Sequence, residues 1–156
     1  MKQRSVTKVV PTLFFLSSFL SLFFFLNLCK SEPVHLDFSI LKTQLDQAAA
    51  QNKKLVVIFG ASWCPDCNSL DGMLGETKIK ELIERKFIIQ KIDVGRFDKN
   101  LDINEKLGDP IDNGIPALVI LDPKKSNPMI ANTTGGEFSN ASKMSSEQVF
   151  NYLNQF

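Results

Sequence analysis

Two of the chain's three cysteines, Cys64 and Cys67, stand three residues apart in the run LVVIFGASWCPDCNSL of residues 55–70. Such a pair can close a disulfide, attack another disulfide or hold a soft metal. Pro65 suits the first position of a helix, because the N–H it lacks would have had no intrahelical partner there. That places Cys64 at a helix N-terminus and Cys67 almost one turn later on the same face. Unpaired N–H groups and the macrodipole at that end favour negative charge. They lower the pKa of a thiol at Cys64 and make it a nucleophile toward disulfides. Cys67, within reach of Cys64, can then resolve the mixed disulfide.

The surrounding pattern supplies the elements that would carry this pair. Phe38, Ile40, Leu41, Leu45, Ala48 and Ala49 recur at helical spacing, ending near Asn52. Residues 55–59 form an apolar, β-branched and aromatic run, as in a strand buried on both faces. A helix begins at the cysteine pair, and Ile79, Leu82 and Ile83 mark a further helical stretch to about Lys86. Residues 87–92 read as a second buried strand, and residues 100–107 as a helix closed by Gly108. Residues 117–121 give a third strand, residues 122–125 a turn, and residues 129–133 a weaker strand that pairs with the third as a hairpin. Ser145 with Gln148 makes a capping box, opening a helix whose Val149, Phe150, Leu153 and Phe156 share one apolar face. Helices alternating with strands imply an α/β domain with a largely parallel sheet covered on both sides.

With these residues in place, WCPDC after a buried strand resembles the thioredoxin superfamily, and GIPALVIL adds a second match. The resemblance covers residues 37–156 and is closest to bacterial envelope, periplasm-facing thioredoxin-like proteins. It implies a thioredoxin-like fold, a central mixed sheet flanked by helices on both faces. It also implies a thiol–disulfide oxidoreductase that needs no cofactor and no metal beyond its dithiol. Cys64 and Cys67 are then the catalytic pair, and Pro116 falls where the family carries a cis-proline. Trp63, Pro65, Asp66, Ile115 and Pro116 line the groove for an extended substrate segment. Disulfide-containing client proteins and a membrane-side electron donor are the implied partners of a monomer.

Three departures from the family pattern matter. Thioredoxins place a buried carboxylate six residues before the first cysteine, where this chain has Ile58, so proton handling at Cys67 must come from water or another group. Asp66 puts a charge near the Cys64 sulfur. At about 7 Å and an effective dielectric of roughly 20–80 its repulsion is on the order of 0.6–2.4 kcal/mol. That offsets the helix end, which contributes about 0.3–1 kcal/mol at exposed sites. A thiolate only moderately stabilised argues against a strong oxidant and for a reductase or exchange catalyst. Residues 93–114 exceed a minimal thioredoxin and are expected to shape partner choice.

The first 29 of the 156 residues differ from the rest: Lys2, Arg4 and Lys8 precede 21 uncharged residues, 9–29. That length crosses a bilayer core as a helix, and a basic start before an apolar run marks an export signal or anchor. A small-x-small cleavage site is not evident. Leu26, Asn27, Leu28 and Cys29 resemble a lipoprotein box, although Leu28 is larger than the residue usual there. Anchor, lipoprotein acylated at Cys29 and cleaved signal thus stay open, and each sends the domain outward. Residues 30–36 read as a linker. Three of eighteen Lys and Arg lie in the leader, leaving fifteen against seventeen acidic residues, which offers no case for nucleic acid. Two cysteines in an exported domain suit an oxidising compartment.

Other uses of the same residues are weaker. A closed zinc site wants four ligands, and only Cys29 and His35 remain beside the pair. Two soft thiolates suffice for copper(I), so a copper(I)-carrying assembly module is the alternative to the enzyme. A purely structural disulfide is countered by Trp63 and by the helix-start position. The run from Asp98 begins like a calcium loop, but Ile103 holds the glycine position and Asp109 the glutamate position.

Overall fold

A computed structural model gives the fold of residues 38–134 and 136–156. The apolar run 9–29, Cys29, the linker and His35 lie outside these described residues. Among the described residues no helix is long and apolar enough to cross a membrane.

The order is α1 (Phe38–Ala50), β1 (Lys54–Gly60), α2 (Pro65–Leu74), α3 (Thr77–Lys86), β2 (Phe87–Asp93), α4 (Leu101–Lys106), β3 (Ala117–Leu121), β4 (Met129–Asn132), a 3-10 turn (Ala141–Lys143) and α5 (Ser146–Asn154). The strands lie side by side as β2-β1-β3-β4. Asn52 adopts a left-handed φ of 57°, which ends the turn after α1 and sends the chain into β1. Between β1 and β2 the chain forms the two helices α2 and α3. The Ser145–Gln148 capping box opens α5 as the sequence predicts.

The expectation of a largely parallel sheet needs correction. Only β1 and β2 are parallel, while β1–β3 and β3–β4 are antiparallel, giving the mixed sheet that the family resemblance implies. The reason lies in the connection after β2. A six-residue α4 spans about 9 Å, whereas a seven-residue strand spans about 23 Å. Such a helix does not by itself span the length of β2, and the connection keeps to the end of the sheet where β2 finishes, with the Val94 N–H on the Gly60 carbonyl. The chain therefore re-enters the sheet from the end it left, and Ala117 at the start of β3 pairs with Phe59 near the end of β1. This reversal brings Pro116 to the same end of the sheet as the cysteines.

Side-chain alternation along the central strands sorts the core into two layers. Leu55, Val57 and Phe59 of β1, with Ala117, Val119 and Leu121 of β3, face Leu41 and Ala48 of α1 and Ile103 of α4. Val56 and Ile58, with Leu118 and Ile120, face Leu70 and Met73 of α2, Ile79 and Leu82 of α3, and Val149 and Leu153 of α5. Both cysteines belong to the first layer. Leu70, one turn further along α2, belongs to the second. The active helix thus spans the edge between the two layers.

Candidate functional site

Gly60 ends β1, and four residues later the chain enters α2. Cys64 is the N-cap of that helix, with φ −84° and ψ 116°, and Pro65 is its first residue. A cap normally offers an oxygen to the N–H groups of the first turn. Here the acceptor is sulfur: the Cys67 N–H points at Cys64 Sγ at 3.1 Å. The two residues are joined by a disulfide across a Cα separation of 5.3 Å. The carbonyl oxygen of Ile115 lies 3.6 Å from Cys64 Sγ, and the Ile115–Pro116 bond is cis. Gly114, with φ 106°, turns the chain into this loop. A side chain there would also crowd Cβ of Ser139 at 3.1 Å.

Burial differs sharply along the motif. Cys64 is 3% exposed and Cys67 8%, while Trp63 is 48% exposed and Pro65 is also at the surface. Cys64 therefore sits directly beneath a rim rather than deep in the core.

The 93–114 segment builds that rim. The Asp93 carboxylate accepts the Gly95 N–H at 3.0 Å, and the Gly95 carbonyl accepts the Trp63 indole N–H at 2.7 Å. The Gly95 hydrogen bond holds the Asp93 carboxyl below its usual range. Phe97 meets Trp63 edge-on, with ring centroids 6.1 Å apart, and is itself exposed. Its φ of 63° is left-handed, a conformation costing a non-glycine residue about 1–2 kcal/mol. Asn100, also left-handed, anchors the segment by donating to the Asp93 carbonyl at 2.7 Å.

Asp66 turns its carboxylate to the 3-10 turn, where it accepts the Ser142 N–H at 2.8 Å. Hydrogen bonds from the side chain and backbone of Ser142 hold its carboxyl below 3.8. This bond fixes the carboxylate and ties α2 to Ala141–Lys143.

On the other side of the disulfide lies a cavity of about 250 Å³, lined among others by Cys67, Ile58, Asp71, Lys91, Asp93 and Pro116. Ile58 is buried, and its parallel partner across the sheet is Lys91. Lys91 Nζ meets Asp71 Oδ1 at 2.7 Å. Gly60 is part of the same wall, and a Cβ on it would stand 3.3 Å from Cys67 Sγ.

Two comparisons bear on identity. The thioredoxin-like family profile matches residues 39–123. The chain is also 36% identical to the crystal structure of a disulphide isomerase from Xylella fastidiosa Temecula1, over 82% of this chain and 97% of that one, with a TM-score of 0.73. The chain belongs to the thioredoxin-like family. Its fold is also that of a Thermus thermophilus thioredoxin (20% identity, 73% of this chain and 81% of that one, TM-score 0.55). The oxidised C-terminal domain of Neisseria meningitidis DsbD shares it too (18%, 79% and 98%, 0.52). The protein is a thioredoxin-like thiol–disulfide oxidoreductase carrying its Cys64–Cys67 bridge in C-x-x-C spacing.

Around this family site the structure gathers Trp63, Cys64, Cys67, Ile115 and Pro116. It adds Gly95, Phe97, Asp71, Lys91 and Ser142, which sequence reasoning passed over. An aromatic in the polar run VGRFDKN was the available signal for Phe97. Asp71 stood four residues after Cys67, on the same helical face.

Proposed function

We propose that this thioredoxin-like oxidoreductase is an exported protein that reduces or exchanges disulfides of other exported proteins. Cys64 is the nucleophile and Cys67 the resolving thiol. The observation that carries this reading is the sulfur N-cap: Cys64 Sγ receives the Cys67 N–H at 3.1 Å, a contact that favours a thiolate over a thiol. A client segment lies along the Ile115–Pro116 loop, flanked by Trp63 and Pro65, with Asp66 at the helix end. In the reductive direction the Cys64 thiolate attacks one client sulfur and expels the other as a thiolate. Cys67 then attacks Cys64 Sγ, closes the bridge and releases the client's remaining sulfur. Two electrons pass from the dithiol to the client, and a membrane-side dithiol donor restores them.

The basic start and apolar run of residues 1–29 support a location in the cell envelope facing the periplasm, as an anchor, as a lipoprotein through Cys29, or as a cleaved signal. The domain works as a monomer. The relative described as a disulphide isomerase supports an exchange role. Insulin reduction by the full chain, beside its Cys64→Ser variant, tests the reading: precipitation with the parent and none with the variant is expected. Equal turnover by both would remove Cys64 from the chemistry.

A further inference from the structure

The resolving step needs Cys67 to lose a proton, and its sulfur is held below the surface. Ile58 fills the strand position from which a thioredoxin carboxylate would take it. The walls of the cavity beside Cys67 carry three charged groups: Asp71 from α2, and Lys91 and Asp93 from β2. The β1 wall supplies Ile58, Gly60 and Ala61, and the β3 side supplies Pro116, none of them titratable. Asp93 has both oxygens engaged, Oδ1 by the Gly95 N–H and Oδ2 by Lys99 at 3.3 Å. Asp71 meets Lys91 through Oδ1 and stands one turn beyond Cys67 on the same face of α2. At about 250 Å³ the cavity has room for several waters; its lining is mainly apolar, with Asp71, Lys91, Asp93, Ser62 and Asn68 as the polar groups that could hold them.

We propose that Asp71, held in place by Lys91, receives the Cys67 thiol proton through water in this cavity, so that the active-site helix itself supplies the function missing at Ile58. The assignment rests on Cys67 being the resolving thiol. Asp71 is a positioning residue for the proton, not a group that touches the reacting sulfurs. In the forward step the S–H bond of Cys67 breaks and its proton passes by water to the Asp71 carboxylate. The electron pair left on Cys67 Sγ then forms the bond to Cys64 Sγ, and the Cys64–client bond breaks with its electrons leaving on the client thiolate. The proton is subsequently released to that thiolate or to solvent. Lys91 holds the carboxylate at the cavity wall. The pair is well exposed, 57% and 45% for the two side chains, so removing it changes stability little and leaves the kinetic effect readable.

Dithiobis(nitrobenzoate) separates the two steps. Attack by Cys64 releases one thionitrobenzoate and leaves the second bound as a mixed disulfide; attack by Cys67 on Cys64 Sγ releases that second one. Stopped-flow absorbance on the reduced full chain in detergent, with Cys29→Ser throughout so that only this dithiol reacts, yields both rates. Asp71→Asn is expected to leave the first phase within twofold and to slow the second about tenfold or more at neutral pH. General base catalysis at full strength is typically on the order of 10²–10⁴-fold. The deficit should close at alkaline pH, where hydroxide ionises the thiol directly, and Asp71→Glu should recover most of the rate. Lys91→Met should slow the second phase by a smaller factor. A second phase in Asp71→Asn that is unchanged or faster, or that falls in step with the first, would overturn the assignment. A parent protein lacking the first phase would instead overturn Cys64 as nucleophile, and the relay with it.

Discussion

The two sulfurs of the bridge are three residues apart, yet they look onto different surroundings. Cys64 faces backbone groups, the Cys67 N–H and the Ile115 carbonyl, while its chain neighbour Trp63 meets Phe97 edge-on. Cys67 faces a cavity with an ion pair in its wall and lies close to Gly60. The difference follows from helix geometry, since the N-cap looks out past the end of α2 while the next turn looks back across the sheet. One side suits an anion and an incoming chain. The other suits movement of a proton. A symmetric-looking motif thus gives its two sulfurs different surroundings by position alone.

Exchanging the cysteines one at a time breaks the comparison most directly. Cys64→Ser should abolish turnover and form no mixed disulfide with a client. Cys67→Ser should also stop turnover but accumulate that adduct, visible as a mass increase that reductant removes. Adducts of equal yield in the two variants would mean that the sulfurs are interchangeable.

Overfilling the cavity side comes next. Gly60→Val sets a branched side chain where even a Cβ reaches 3.3 Å from Cys67 Sγ. It should cost about 1–3 kcal/mol of stability, a typical penalty for overpacking, read from the denaturant midpoint. It should also slow the Cys67 step more than the Cys64 step.

On the rim side, Trp63→Ala removes the indole bond to Gly95 and the ring contact with Phe97. If a client side chain packs on Trp63 as an aromatic pair would, the loss is about 0.5–1.5 kcal/mol, and KM for a protein disulfide should rise roughly 2- to 12-fold with kcat little changed. A fall in kcat with constant KM would assign Trp63 to the chemistry instead.

The smallest effect concerns Asp66. Its folded carboxyl titrates below 3.8 because Ser142 hydrogen-bonds the ionised form. A lowered folded-state pKa means that the unfolded chain binds more protons in that window. Its contribution is therefore complete above the ordinary value and fades as pH falls through the lower folded one. Asp66→Asn should flatten that acid limb slightly, the effect being small because the group is exposed. Melting temperatures between pH about 2 and 5, the range bracketing a carboxylate, provide the check.

How far the sequence reaches can be judged from particular residues. The runs 55–59 and 117–121, Pro65 beside Cys64, and Ser145 with Gln148 are local signals. Each element they predict is present. Strand direction was not local. It depended on which end of the sheet the connection from 94 to 116 keeps to, which alternation of helices and strands does not encode. The site divides in the same way. Cys64, Cys67, Trp63 and Pro116 lie within short motifs and could be read directly, and the family resemblance they carry is confirmed. Phe97 and Lys91 enter the site only through tertiary packing and strand register, β1 Ile58 opposite β2 Lys91. Asp71 was within reach of helical spacing, but only the cavity gives that spacing a meaning.

Because the cap of α2 is a sulfur atom, the mechanical firmness of the helix's first turn follows the oxidation state of the protein. In the bridge the sulfur is a neutral, weak acceptor for the Cys67 amide. On reduction it can become an anion, and such charge-assisted bonds are roughly twice as strong. Amide exchange at Cys67 is where the stronger bond of the reduced form should show, set against the loss of the covalent tie between Cys64 and Cys67.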